Sequence, residues 1–178
     1  MKTFILLMLV FGMSTVHAQV IELEPANVEF KALKLVATPD ASGLHLLVKE
    51  NYRNEFLNNP IRFMESNFDI SMIDISGFDE VEVKFVSSKG YLKATFDDNG
   101  KLLKTYQRFE NIVLPLAIRS QLYTENQGWT MVSNKYTANG KENRIHKELY
   151  QIKMEKGKES RRVKIRPSID SEGRVAGN

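Results

Sequence analysis

Three alternating runs follow one another between residues 81 and 109 with only short turns between them. VEVKFV (81–86) places Val81, Val83 and Phe85 on one face. YLKATF (91–96) places Leu92, Ala94 and Phe96 on one face and Tyr91, Lys93 and Thr95 on the other, and KLLKTYQRF follows. Side chains that alternate with a period of two describe half-buried strands, and connections as short as SSKG and DDNG join antiparallel neighbours. A chain written this way must build a sheet with one apolar face.

The DDNG stretch invites a second reading, as a cation-binding loop. A helix-flanked calcium loop needs oxygen ligands at positions 1, 3 and 5, glycine at 6 and a bidentate glutamate at 12. With Gly100 at position 6, position 12 is Tyr106, and the flanks alternate as strands do. Asn99-Gly100 instead reads as the central pair of a two-residue hairpin turn, both residues at positive φ.

The plan recurs downstream. YQIKMEKGKESRRVKIRPSIDSEGRV repeats strand, glycine-containing turn, strand and acidic-glycine turn. Each copy has a helix near a proline. Asn59 and Pro60 are a capping residue and a first-turn proline, and Ile61, Met64 and Phe68 share a face of NPIRFMESNF. LPLAIRSQLYTE (114–125) carries the stripe Leu114, Ile118, Leu122, followed by the strand GWTMVSNKYT, the polar loop ANGKENRIHK and the strand LYQIKM. Before the first helix lie short strands in VIELE, VEFKALKLV and LHLLVKE, then a polar linking stretch, ENYRNEFLNN, while ISMIDI after it reads as a strand. The expected class is α+β: two tandem helix-on-antiparallel-sheet units, 59–112 and 113–178, preceded by a strand-rich segment, 19–58.

The series LPLAIR, GW, LYQIKM and the hairpin into RRVKI, with KGYLKATFDDNGKLLKTYQRFENIVLPLAI before it, resembles the PepSY-like family, related in fold to the beta-lactamase-inhibitor-protein-like domains. The resemblance covers about residues 59–173. It implies exported bacterial proteins whose small helix-on-sheet units bind or inhibit other proteins or act as accessory modules, with no catalytic set and no binding residue to carry over.

The N-terminus has Lys2, an apolar run from Phe4 to Met13, and then STVHA, with Val16 and Ala18 at the small-residue positions of a cut before Gln19. This is the pattern of a cleavable secretory signal, too short to span a membrane as a helix. The expectation is a protein exported to the periplasm or beyond, with no transmembrane segment after residues 1–18 are removed. The chain has no cysteine, which excludes disulfides, thiolate metal sites and a cysteine nucleophile. A net charge of +3 does not call for nucleic acid.

No motif carries catalysis. His45 and His146 lie outside metal-ligand spacings, no G-x-S-x-G elbow is present, and neither a phosphate-cradling G-x-x-x-x-G-K-[ST] nor a strand-coupled G-x-G-x-x-G occurs. A nicotinate-nucleotide adenylyltransferase would need a glycine-rich phosphate loop with an H-x-G-H type motif on a parallel α/β fold, and this chain has no such motif. The reading is therefore no catalytic residue, no metal and no cofactor.

Candidate binding residues are few. Arg162 and Lys164 share a strand face with Arg166, opposite Val163 and Ile165; they serve either as charges guarding an edge strand or as contacts for an anionic partner. Trp129 and Tyr136, with Tyr106 and Arg108, offer the aromatic and guanidinium groups in which interfaces concentrate energy, although the expectation favours Trp129 packing on the helix stripe. The expected function is an exported, non-enzymatic module that binds another envelope or secreted protein, or an envelope ligand, through exposed sheet faces. The alternatives are an exported hydrolase or transferase whose site forms only in three dimensions, and a structural envelope component that assembles through sheet edges.

Overall fold

The computed structural model describes residues 29–37 and 43–167. The secretory signal expected over 1–18, the strand expected in VIELE and the final SIDSEGRV lie outside them. Among the described residues nine strands form one sheet in sequence order: β1 (Glu29–Phe30), β2 (Leu33–Ala37), β3 (Leu44–Val48), β4 (Glu80–Ser87), β5 (Gly90–Asp97), β6 (Leu102–Glu110), β7 (Thr130–Lys141), β8 (Arg144–Lys156) and β9 (Glu159–Ile165). Every neighbouring pair is antiparallel except β3 and β4, which run parallel, so the sheet is mixed. Short helices of the described residues accompany it: α1 (Arg53–Asn58) and α2 (Pro60–Asn67) between β3 and β4, and α3 (Leu116–Glu125) between β6 and β7.

This corrects the expected α+β class with two tandem helix-on-sheet units. The two repeats are joined edge to edge, because β6 pairs with β7 from Lys104↔Lys141 to Glu110↔Lys135, and the result is one mostly-β sheet. Strands β1, β2 and β3 extend the same sheet within the chain, with Leu44↔Val83 and Leu46↔Phe85 closing the parallel pair.

Alternation sorts the sheet into two faces. One is apolar: Val83 and Phe85 of β4, Leu92, Ala94 and Phe96 of β5, Phe109 of β6, Tyr136 and Ala138 of β7, and Tyr150, Ile152 and Met154 of β8 are all buried there. α1 and α2 cover its first half. Phe56 of α1 is fully buried, with its ring edge-on to Phe63 at 5.4 Å and to Phe109 at 5.5 Å. Phe68, just past α2, meets Phe30, Phe85 and Phe96 at 5.2, 5.3 and 5.9 Å. Offset and edge-on ring pairs of this kind add about 0.5–1.5 kcal/mol each to the burial of their surface.

The helices start as their sequences dictate. The Asn59 side chain accepts from the Arg62 N–H at 3.1 Å, and Pro60 takes the first turn of α2. Ile61, Phe63 and Met64 face inward. The stripe Leu114, Ile118, Leu122 is buried as expected, whereas Leu116 and Val113 stay exposed. No helix among the described residues is long and apolar enough to cross a membrane.

Several local expectations are also corrected. ENYRNEFLNN is not a linker; it forms a short 3-10 turn, Glu50–Tyr52, and then α1. VEFKALKLV is not one strand, since the chain turns at Lys31-Ala32 and Phe30 pairs with Leu33. ISMIDI forms a 3-10 turn, Ile70–Met72, because the Asp69 and Asp74 carboxylates accept from the N–H groups of Ser71 and Ser76 and draw the backbone out of strand geometry. ANGKENRIHK is not a loop either: β7 runs to Lys141 and β8 resumes at Arg144.

At DDNG the hairpin forms, but with a different turn. The Gly100 N–H bonds the Asp97 carbonyl at 3.0 Å, only Gly100 takes positive φ (76°), and the Asp97 carboxylate accepts from the N–H groups of Asn99 and Lys101. That carboxylate is occupied in holding the turn.

Candidate interaction face

The second face of the sheet points away from the helices. Its central cluster comes from β4, β5 and β6, where the register sets Tyr91 opposite Arg108 and Lys93 opposite Tyr106. The Tyr91 and Tyr106 rings lie 6.1 Å apart, tilted by 49°, and the Lys84 amine sits over the Tyr91 ring at 4.6 Å. An ammonium over an aromatic face is attracted by the ring quadrupole, which holds Lys84 against the half-buried Tyr91 ring. Arg108 reaches Glu110 at 3.2 Å, Lys93 reaches Glu82 at 2.7 Å and Lys104 reaches Glu80 at 2.9 Å. At this exposure such pairs contribute little stability and leave the groups free to exchange partners.

Beside this cluster is a hollow of about 380 Å³ lined by Ser88, Lys89, Gly90, Tyr91, Arg108, Glu110 and Asn111. Its wall depends on Gly90. That residue has φ 142°, and a Cβ there would lie 2.0 Å from the Arg108 carbonyl oxygen, so only glycine lets β5 approach β6 this closely. The other side is fixed by buried Asn134, whose backbone carbonyl accepts from Asn111 at 2.8 Å while its side chain bridges the Ile112 N–H and C=O at 3.2 and 2.8 Å. A second hollow, of about 300 Å³, lies by Phe30, Glu65 and Met72. Neither is lined by His45 or His146. Among the described residues no three histidine or carboxylate side chains converge as a metal would require.

The structure divides the six residues singled out in the sequence. Tyr106, Arg108, Arg162 and Lys164 share the outward face, the last two on β9, the final strand of the sheet. Trp129 and Tyr136 do not. Tyr136 lies opposite Phe109 on the apolar face, 7% exposed, with its ring 4.8 Å from Tyr150. Trp129 is half-buried against the core, with the Arg161 guanidinium 4.1 Å over its ring; the same guanidinium hydrogen-bonds the Asn126 side chain at the end of α3. Tyr136 is a packing residue, and its reading as an interface anchor is corrected accordingly; Trp129, half-buried, presents its ring to Arg161. Tyr91 and Lys84 are the members that sequence reasoning missed, although the outward alternation of Tyr91 with Lys93 was the signal for the first.

The apolar face carries an ionisable cluster on β7 and β8. The Tyr136 hydroxyl donates to Glu148 Oε2 at 3.0 Å, and Glu148 is 5% exposed. Burial pushes the Glu148 carboxyl above its ordinary range, against the opposing effect of the Tyr136 hydrogen bond. Burial, reinforced by the Glu148 charge, holds both the Tyr136 and Tyr150 phenols well above theirs. Closed off from solvent, these groups form a structural contact across β7 and β8. No protein-family model, no curated protein and no solved structure matches this chain.

Proposed function

We propose that the protein is an exported, non-enzymatic interaction module that engages another envelope or secreted protein through the outward face of its sheet. The observation behind this reading is the open cluster Lys84, Tyr91, Tyr106 and Arg108 beside a hollow, on a face that no helix of the described residues covers. Tyrosine supplies large contact area at low conformational cost and arginine a planar fork of several donors, and both are enriched where interface energy concentrates. Export is supported by the charged, apolar and small-residue order of residues 2–18. The strand, acidic-glycine turn and proline-started helix that resemble PepSY-like accessory modules agree with a binding role; a tandem-unit arrangement is no part of it.

The test is a crosslinking pull-down from the native envelope fraction, comparing the wild-type protein with a Tyr106→Ala, Arg108→Ala double variant of equal thermal stability. Recovery of one partner by the wild type, reduced about tenfold or more in the variant, is the expected result. Equal recovery by both proteins, or none by either, rejects the reading.

A further inference from the structure

The outward face is not uniform in charge. Over β4, β5 and β6 it largely neutralises itself: Lys93 pairs with Glu82, Lys104 with Glu80 and Arg108 with Glu110, which leaves the Lys84 amine over the Tyr91 ring. Over β7, β8 and β9 it does not. Lys135, Lys147, Lys153, Arg162 and Lys164 all take outward register positions there. Among the described residues, the carboxylate within ion-pair reach of any of them is Glu155, 2.6 Å from Lys153. Glu110, directly opposite Lys135 in the ladder, is engaged by Arg108 of its own strand.

The register arranges these cations as a frame. Lys135 stands opposite Gln151 and Gln151 opposite Lys164, while Lys153 stands opposite Arg162. Within the frame Thr137 and Leu149 face each other across β7 and β8. Charges on a terminal strand can be explained as protection of its edge, which would account for Arg162 and Lys164. It does not account for Lys135 and Lys147, which sit on interior strands. Nor does overall composition explain the surplus, since the whole chain carries a net charge of only +3.

Unneutralised like charges held on one rigid surface repel one another and are relieved by an opposite surface. A linear polyanion would follow a continuous cationic row, and Gln151 interrupts the row that Lys135 and Lys164 would otherwise make. A charged rim around hydrogen-bonding and aliphatic positions instead has the anatomy of a protein interface.

We infer that the outward face of β7, β8 and β9 docks an acidic surface of a partner protein, with Lys135, Lys147, Arg162 and Lys164 meeting its carboxylates around Thr137, Leu149 and Gln151. This rests on the interaction reading above and assigns the partner's chemistry and the half of the face that holds it.

A zero-length carbodiimide crosslinker tests this directly, because it joins a lysine amine only to a carboxylate in contact with it. Applied to the full protein in its native envelope fraction, it should couple Lys135, Lys147 or Lys164 to aspartate or glutamate of one protein. The yield should fall as salt rises from about 50 mM to about 500 mM. Lys135→Glu and Lys164→Glu should each lower it about tenfold or more, while Lys31→Glu, the same charge change on the β1–β2 turn, should not. Crosslinks that map to Lys84 or Lys93 and survive both reversals overturn this inference and leave the interaction reading standing. Absence of any partner overturns both. If the purified protein cosediments with phosphatidylglycerol vesicles in a Lys164-dependent manner and captures no protein, the occupant is a lipid surface and the inference fails.

Discussion

Replacing Phe56 by alanine probes whether α1 is part of the core, as the structure has it, or a polar connection, as its sequence reads. Phe56 is fully buried and touches the rings of Phe63 and Phe109 edge-on at 5.4 and 5.5 Å. The change removes roughly 100–150 Å² of buried apolar surface, about 2.5–4 kcal/mol at about 25 cal/mol/Å². Two lost ring contacts and a partly unrelaxed cavity bring the expected cost to about 3–5 kcal/mol. For a chain of this size that lowers Tm by about 6–20 °C. Phe78 is the natural control, being 60% exposed, and Phe78→Ala should stay within about 0.5 kcal/mol of wild type. Urea and thermal unfolding followed by circular dichroism give both numbers. A cost below about 1 kcal/mol for Phe56→Ala, with an unchanged urea slope, would mean that α1 does not dock on the sheet and that the inner face is covered some other way.

The buried Glu148 carboxyl has its proton affinity raised by burial, so the folded state binds that proton more firmly than the unfolded chain does. Stability from this group is fullest below the unfolded carboxyl range and declines as pH rises from there through the folded value. Glu148→Gln keeps an acceptor for the Tyr136 hydroxyl and cannot ionise, so its stability relative to wild type should improve from about pH 4 to about pH 8 in denaturant titrations; a difference independent of pH rejects the assignment. Arg161→Ala should cost about 1–2 kcal/mol through the lost ring contact and shift the emission of Trp129 to the red, a clean signal because the chain has one tryptophan; an unchanged spectrum would place the guanidinium elsewhere.

Much of the sheet was legible because local pattern and tertiary environment agree. The alternation around Val83, Leu92 and Phe96 and the Asn59-Pro60 helix start needed no distant partner to be recognised. Failures occurred where one long-range contact decides the outcome. Phe56 is the one buried residue of six-residue α1, with only Tyr52 before it and Leu57 beside it to mark a face in an otherwise polar stretch, so α1 shows little periodicity. Ala138 and Gly140 give the second half of β7 a weak apolar signal, and inward Glu148 disguises β8 as a loop. Two similar hairpins in sequence also leave open whether they form separate sheets; only the β6–β7 ladder decides that. The candidate face was half legible for a related reason. Tyr106 and Tyr136 look alike as residue types, and it takes the register Tyr136↔Phe109 beside Tyr106↔Asn139 to put them on opposite sides.

The lone parallel pair has a consequence for how the molecule assembles. Each antiparallel ladder from β4 to β6, and again from β7 to β9, closes a short stretch of chain and can zip as soon as its turn is formed. β3 must wait for β4 until both helices between them have been made. In a chain delivered N-terminus first, β2 and β3 therefore spend an interval with Leu33, Leu46 and Val48 uncovered and one strand edge open to any other extended polypeptide. That interval is the stage of this protein's life at which a holding chaperone would matter most.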